Sequence, residues 1–388
     1  MAPSRTNGSI HTLQLGMSWF PEQAGNGLDR VYHALARHLP GVDVHFTGLV
    51  AGSPGTGIGS DEPVRAFASD AAPLIRRLLA IRKRVQREVD ATEYDLIASH
   101  FALYTFPILD QLHGKPLVIH FHGPWAHEGR VEGAHALAVR LKAAVEQAVY
   151  RRGARFIVLS EAFGRLLQQH YAVPEERIRI IPGGVEVNQF TISCTRAEAR
   201  ARLGWPADRP IMLSVRRLAR RMGLENLIEA MHVVRRRVPE AVLYIAGKGL
   251  LTAELAARVE AAGLGQQIKL LGYVPESDLP LAYRAADVTV VPSIALEGFG
   301  LVTVESLATG TPVLVTPVGG LPEAVRGLSR DLVLCGTRAE NIGEHLSAAI
   351  MGDLKLPSAT ACQAYARAHF DWPVIAARTR TVYEELLP

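Results

Sequence analysis

Short β-branched runs alternate with amphipathic helical stretches from one end of the chain to the other, and this alternation restricts the fold more than any other feature. Runs such as Leu117–Phe121, Phe156–Leu159, Val242–Ala246 and Val288–Val291 are almost continuously apolar. That is the pattern of strands covered on both faces, so the class is α/β with parallel sheets under helices. In the first half, strands are expected at 12–15, 42–46, 96–99, 117–121, 156–159 and 179–181, with helices near 28–38, 73–89, 134–151 and 161–170. In the second half, strands are expected at 211–215, 242–246, 268–271, 288–291, 313–316 and 332–334, with helices near 224–237, 252–262, 279–285 and 301–308.

The series breaks around Gly183-Gly184, Pro206 and Pro210 and then restarts. Two Rossmann-like domains are expected, 1–190 and 191–370, facing each other across a cleft, and 388 residues suit that number. Ligands of such sheets collect at the carboxyl ends of the strands. With 48% hydrophobic and 21% charged residues, a disordered chain is excluded. Segments 1–9 and 51–60, the latter rich in Gly and Ser, are the candidates for mobility.

Apolar runs such as 156–160 and 288–292 are far shorter than the ~20 residues of a membrane span, and 1–17 has no signal-peptide core, so a soluble, cytoplasmic chain is expected. Cys194, Cys335 and Cys362 are odd in number and far apart, which suggests buried small residues rather than disulfides or a thiolate metal site. A net charge of +4 is too slight to imply nucleic acid. Basic residues do cluster on 73–90, where Leu74, Ile75, Leu78, Leu79, Ile81 and Val85 oppose Arg76, Arg77, Arg82, Lys83, Arg84 and Arg87. Such a helix either faces the core with a solvated arginine face or touches an anionic membrane surface.

The stretch 292–305 follows one strand and opens a helix. Gly298 and Gly300 permit close backbone approach, and the amides of Phe299, Gly300 and Leu301 stand at a helix N-terminus, an anion cradle. Glu305, about one turn inside, can accept the hydroxyls of a ribose, and Glu297, in the preceding turn, those of a sugar. Pro21 to Gly27 form a further strand–glycine–helix turn in which Gly25, Asn26 and Gly27 open a helix toward the expected cleft. His120 and His122 end a strand on one face; with His127 and Glu128 they could suggest a metal site, but the spacing matches no recurring ligand motif.

Glu297 to Glu305 matches the E-x7-E motif of retaining, family-4-like GT-B glycosyltransferases. SVRRLARRMGLENLIEA at 214–230 resembles that family's G-R-L-x-x-x-K-G-x-x-x-L-I-E-A, and AGKG at 246–249 its G-x-G turn. LGYVPESDLPLAYRAADVTVVPS at 271–293 is similar to its strand–turn–helix–strand segment, and RIRIIPGGVEVNQF at 177–190 to its interdomain segment. Residues 370–386 resemble its closing helix, which returns to the N-terminal domain.

The resemblance implies retaining transfer of a sugar from a nucleoside-diphosphate donor, a UDP-sugar such as UDP-glucose, to a hydroxyl of a glycan or lipid-linked acceptor in envelope polysaccharide synthesis. It implies no cofactor and no metal ion, and it is compatible with peripheral work at the inner membrane face. Fixed guanidinium groups can absorb the charge that develops on the departing diphosphate. The resemblance places catalytic contacts at His122, Arg217, Arg221 and Glu297. Substrate-binding positions carried over with them are Gly25, Asn26, Gly27, His120, Arg216, Gly247, Tyr273, Val274, Gly298, Phe299, Gly300, Leu301 and Glu305.

The family's lysine falls on Met222, so Arg221 is the expected substitute for its charge. Arg216 with Arg221 repeats the Arg-to-Lys spacing one position earlier, so either pair could form the clamp. The histidine assignment could likewise shift from His122 to His120. Two other readings stay open: a nucleotide-sugar epimerase, and a non-catalytic nucleotide-sugar binding protein.

Overall fold

The computed structural model describes residues 8–19, 27–52 and 63–387. The chain divides into two compact units, residues through Pro182 together with those from Trp372 onward, and Gly183–Asp371. The change of unit comes slightly ahead of the expected 190, after Pro182, two residues beyond the strand Ile178–Ile180. Of the candidate mobile segments 1–9 and 51–60, residues 1–7 and 53–60 lie outside the described residues, as do the site candidates Gly25 and Asn26.

In the first unit the strands are β1 (Ile10–Ser18), β2 (Val44–Ala51), β3 (Val64–Ala68), β4 (Leu96–Ser99), β5 (Leu117–Phe121), β6 (Gly153–Val158) and β7 (Ile178–Ile180). They form a parallel sheet in the order β3-β2-β1-β4-β5-β6-β7. Leu13, Leu15, Ile97, Ile119 and Val158 form its fully buried centre. Each such side chain contributes roughly 1.5–3 kcal/mol by leaving water. Helices α1 (Gly27–His38), α2 (Leu74–Ala91), α3 (Ala102–Thr105), α4 (Trp125–Val131), α5 (Ala136–Tyr150) and α6 (Glu161–Tyr171) cover it. Ser160 caps α6 by accepting from the Phe163 amide at 3.2 Å.

In the second unit α7 (Val187–Phe190) and α8 (Arg196–Leu203) precede a series of β8 (Ile211–Val215), α9 (Leu224–Arg237), β9 (Val242–Ala246) and α10 (Thr252–Ala261). The series continues through β10 (Ile268–Gly272), α11 (Leu279–Ala285), β11 (Val288–Val291), α12 (Leu301–Ala308) and β12 (Val313–Val315). These strands are parallel in the order β10-β9-β8-β11-β12. Helices α13 (Leu321–Val325), α14 (Ala339–Met351) and α15 (Ala359–Phe370) complete the unit, and α16 (Trp372–Glu384) belongs to the first unit, against α1.

Three expectations need correction. Residues 332–334 are no strand: Leu332 ends a 3-10 turn, and only Val333 pairs, through a lone bridge to Val315. Cys335 is exposed, although Cys194 and Cys362 are buried. On α2, Ile81 and Val85 enter the core, whereas Leu74, Ile75 and Leu79 are 44%, 74% and 65% exposed. At about 100° per residue, Ile75 and Leu79 lie roughly a quarter-turn or more away from the buried stripe, and Leu74 sits in the first turn.

Candidate active site

A parallel sheet whose strand order reverses opens a crevice at the carboxyl ends of the two strands flanking the reversal. In the second unit these are β8 and β11, which are direct neighbours. Arg216 follows β8, and the Pro292–Gly300 loop follows β11, so the sheet brings together groups far apart in the chain.

Arg216 is buried, and its Nη2 donates to Glu297 Oε2 and to Ser293 Oγ, the latter at 2.7 Å. Ser293 Oγ in turn donates to Glu297 Oε2 at 2.8 Å. The same Nη2 lies 2.7 Å from Met222 Sδ. Arg221 reaches the loop from the other side, donating from Nη1 to the Leu296 carbonyl at 2.9 Å. Burial alone would raise the Glu297 carboxyl. The Arg216 charge and hydrogen bond, then the Arg221 charge and the Ser293 hydroxyl, outweigh burial and hold it below its ordinary value.

Backbone geometry holds this loop in place. Gly319 has φ +57, and a Cβ there would lie 1.9 Å from the Glu297 carbonyl, which also accepts from the Gly320 amide at 2.9 Å. Gly247, at φ +138, packs so closely on the Arg216 carbonyl that a Cβ would lie 1.8 Å from it. Neither position can hold a side chain.

At the tip of α12, Gly298 and Phe299 are buried, and Phe299 packs against Phe370 with ring centroids 5.4 Å apart. Gly300 caps the helix in the left-handed region at φ +78, without a side-chain cap, ahead of half-buried Leu301. The Thr303 hydroxyl is buried there with no hydrogen-bond partner among the described residues. Uncapped amides, the helix dipole and an orphaned hydroxyl suit an anion. Glu305, 4% exposed, accepts from Tyr283 OH at 2.9 Å. Tyr273 is exposed with Lys248 Nζ 5.6 Å from its ring centre, beside half-buried Val274. Arg217 is exposed and makes no side-chain hydrogen bond or ion pair among the described residues.

Sequence reasoning missed Ser293 and Tyr283. Ser293 carried a usable signal, standing four residues before Glu297 at a strand end, but Tyr283 comes from a helix with no fixed spacing to Glu305.

The first unit reverses strand order between β1 and β4. Gly27 opens α1 on that side. Three histidines gather at the strand ends: His100 and His120 are buried and their rings stack with centroids 4.2 Å apart. His122 is half-buried, with Nε2 3.1 Å from His100 Nδ1. Burial pushes all three imidazoles below their ordinary value, His122 to about 3, so they are neutral at physiological pH. A cavity of about 20 Å³ is lined by His120 and His122 together with Val31, Leu35 and Trp372.

Residues 195–369 match the model of glycosyl transferases group 1, and residues 25–189 that of glycosyltransferase family 4. The chain is 31% identical over 319 residues to a D-inositol 3-phosphate glycosyltransferase of Thermobispora bispora, covering 78% of this chain and 73% of that one. A protein of the same description from Arthrobacter sp. is 29% identical over 357 residues, 89% of this chain and 80% of that one. Among solved structures, Anabaena Alr3699/HepE in complex with UDP and glucose superposes with a TM-score of 0.76 at 23% identity, covering 97% of this chain and 100% of that one. Two parallel sheets, the site at the β8–β11 reversal and these matches agree: the chain is a glycosyltransferase of the group 1, family 4 type, with the GT-B fold.

Proposed function

We propose that the enzyme transfers a sugar from a nucleoside-diphosphate sugar, a UDP-sugar such as UDP-glucose, to a hydroxyl of a saccharide or lipid-linked saccharide, with retention at the anomeric carbon and without a metal ion or cofactor, in envelope polysaccharide synthesis. The observation that carries this reading is the hydrogen-bonded cluster of half-buried Glu297 with buried Arg216 and Ser293 at the strand reversal, next to the uncapped tip of α12. In this reading the helix tip and Thr303 hold the diphosphate, Glu305 accepts from the ribose hydroxyls, and Glu297 accepts from the sugar. Arg216, Arg217 and Arg221 absorb the charge on the departing phosphate, as preorganised cations do most effectively out of water. Described solved structures of the Anabaena protein hold UDP or UDP-glucose, which supports the choice of base.

The membrane side of the proposal rests on exposed apolar groups. Ile75 and Leu79 of α2, Phe106 on the 3-10 turn touched by both α2 and α5, and Leu137 and Leu141 of α5 are exposed beside Arg76 and Arg140. No helix among the described residues is long and apolar enough to cross a bilayer. The contact proposed is therefore peripheral, with an anionic leaflet on the cytoplasmic side.

Thermal shift with UDP, GDP, ADP and dTDP, followed by transfer assays in chelator, tests the donor. UDP at about a hundred times its Kd is expected to add about 2.7 kcal/mol of stability. Glu305→Ala should abolish the shift, and Arg216→Ala should abolish turnover. Absence of any shift with UDP or its sugars, or full turnover in both variants, overturns the reading.

A further inference from the structure

Behind His122 runs a chain of hydrogen bonds whose direction is set at its far end. Thr12 Oγ1 donates to the His45 carbonyl at 2.9 Å. A carbonyl can only accept, so the single hydroxyl proton of Thr12 is committed, and its oxygen must accept from Gln14 Nε2, which lies 2.9 Å away. That fixes the amide of Gln14 with Oε1 toward His100 Nε2, 2.9 Å away. Oε1 accepts, so His100 carries its proton on Nε2. Neutral His100 then offers a bare Nδ1 to His122 Nε2 at 3.1 Å, and His122 must supply the proton.

The same glutamine sets the other branch. Gln14 Nε2 also donates to Tyr383 OH at 3.1 Å, and Tyr383 is fully buried. Among the described residues its own proton has one acceptor in reach, His120 Nε2 at 2.8 Å. A buried hydroxyl left without an acceptor costs roughly 1–3 kcal/mol, so the proton goes there and His120 holds its own on Nδ1.

We infer that Thr12, Gln14 and His100 are positioning residues that lock His122 as the Nε2–H tautomer, so that its Nδ1 accepts a hydrogen bond from a substrate hydroxyl. His122 Nδ1 has no partner among the described residues and is the end of the chain left for a ligand. Acting as acceptor, it selects a sugar that presents an O–H there and disfavours one whose oxygen is substituted. This inference rests on the catalytic contact that the family resemblance places at His122, read here as a contact to the transferred sugar, but the tautomer can be read without any substrate.

Nitrogen-15 NMR of the imidazoles in the full-length protein tests it. The wild type should show Nε2–H for His100 and His122 and Nδ1–H for His120. Thr12→Val keeps the shape but removes the anchor, so the amide can turn over and all three rings should show both tautomers, while Thr12→Ser should restore the wild-type pattern. Transfer should fall with the fraction of His122 in the Nε2–H form, about twofold for an even mixture. Nδ1–H on His122 in the wild type, or an unchanged pattern in Thr12→Val, overturns the inference. A His122→Asn variant with full transfer, beside the expected tautomers, would instead sink the role of His122 and leave the relay standing.

Discussion

Arg216 and Met222 are best understood as one exchange. In the family pattern a glycine stands where this chain has Arg216, and a lysine stands where it has Met222. The Arg216 guanidinium lies on the Met222 sulfur at 2.7 Å, so a cation reaching in from one position occupies the ground a cation from the other would hold. Glu297 sits beside it either way. Arg216→Gly alone leaves the Glu297 carboxylate with only the Ser293 hydroxyl and the Arg221 charge and should cost about 3 kcal/mol, together with nucleotide binding. Met222→Lys alone crowds two cations against one carboxylate and should also destabilise. The double variant should recover at least half of the summed loss in thermal melts and nucleotide titration, because the two positions share one interaction. Strictly additive losses would show that the two positions do not exchange roles.

At the scale of elements, the exposed apolar groups of α2 and α5 ask for an explanation, since single exposed leucines are ordinary but a group across neighbouring elements is not. Ile75→Ser with Leu79→Ser removes two of them without touching the buried Ile81 and Val85. Sedimentation with anionic vesicles should show binding weakened at least tenfold, because immersing even one such side chain is worth roughly 1.5–3 kcal/mol. The melting temperature should stay within a degree or two of wild type. Equal vesicle binding by both proteins would remove the membrane contact.

The same helix shows where sequence reading stops: periodicity identifies which residues are apolar, but not which end of a helix overhangs the core. Strands β8, β9 and β11 are legible because burial on both faces demands unbroken apolar runs. Helices α14 and α15 bury Gly343, Ser347, Ala349 and Ala366 among a few large groups, leaving little contrast to read. Gly300 is legible because a strand–glycine–helix tip needs a residue free to take a positive φ, and Glu297 and Glu305 are legible through their match to the family's E-x7-E motif. The contact of the Arg216 guanidinium with the Met222 sulfur, and the Tyr283 hydroxyl on Glu305, depend on tertiary packing that no local spacing encodes.

For the whole molecule, acid should act on the two units in different ranges of pH. His100, His120 and His122 are held neutral chiefly by burial, with their ordinary value at 6.5 and His122 at about 3. The unfolded chain therefore takes up protons that the folded chain refuses. The stability tied to neutral imidazoles is complete above about pH 6.5 and is lost as pH falls below that toward each lowered folded-state value, at up to about 1.4 kcal/mol per pH unit for each histidine. Asp29 works the other way: burial raises it from 3.8 to about 6, so protonation returns some stability below about pH 6. Glu146 is raised for the same reason and acts in the same sense. Three histidines outweigh them at first, because their loss begins at higher pH. In the second unit the principal shifted group of the site, Glu297, lies below its ordinary 4.5, so what it contributes is full above that value and is lost only as pH falls through the folded one. Amide exchange, corrected for its intrinsic rate, separates the two. From about pH 7 to about pH 6, protection at Val118 and Ile119 of β5 should fall while Leu213 of β8 and Val290 of β11 keep theirs, and His122→Asn should lessen the loss in β5. Equal loss in both sheets over that range would mean that the buried histidines do not govern the acid response.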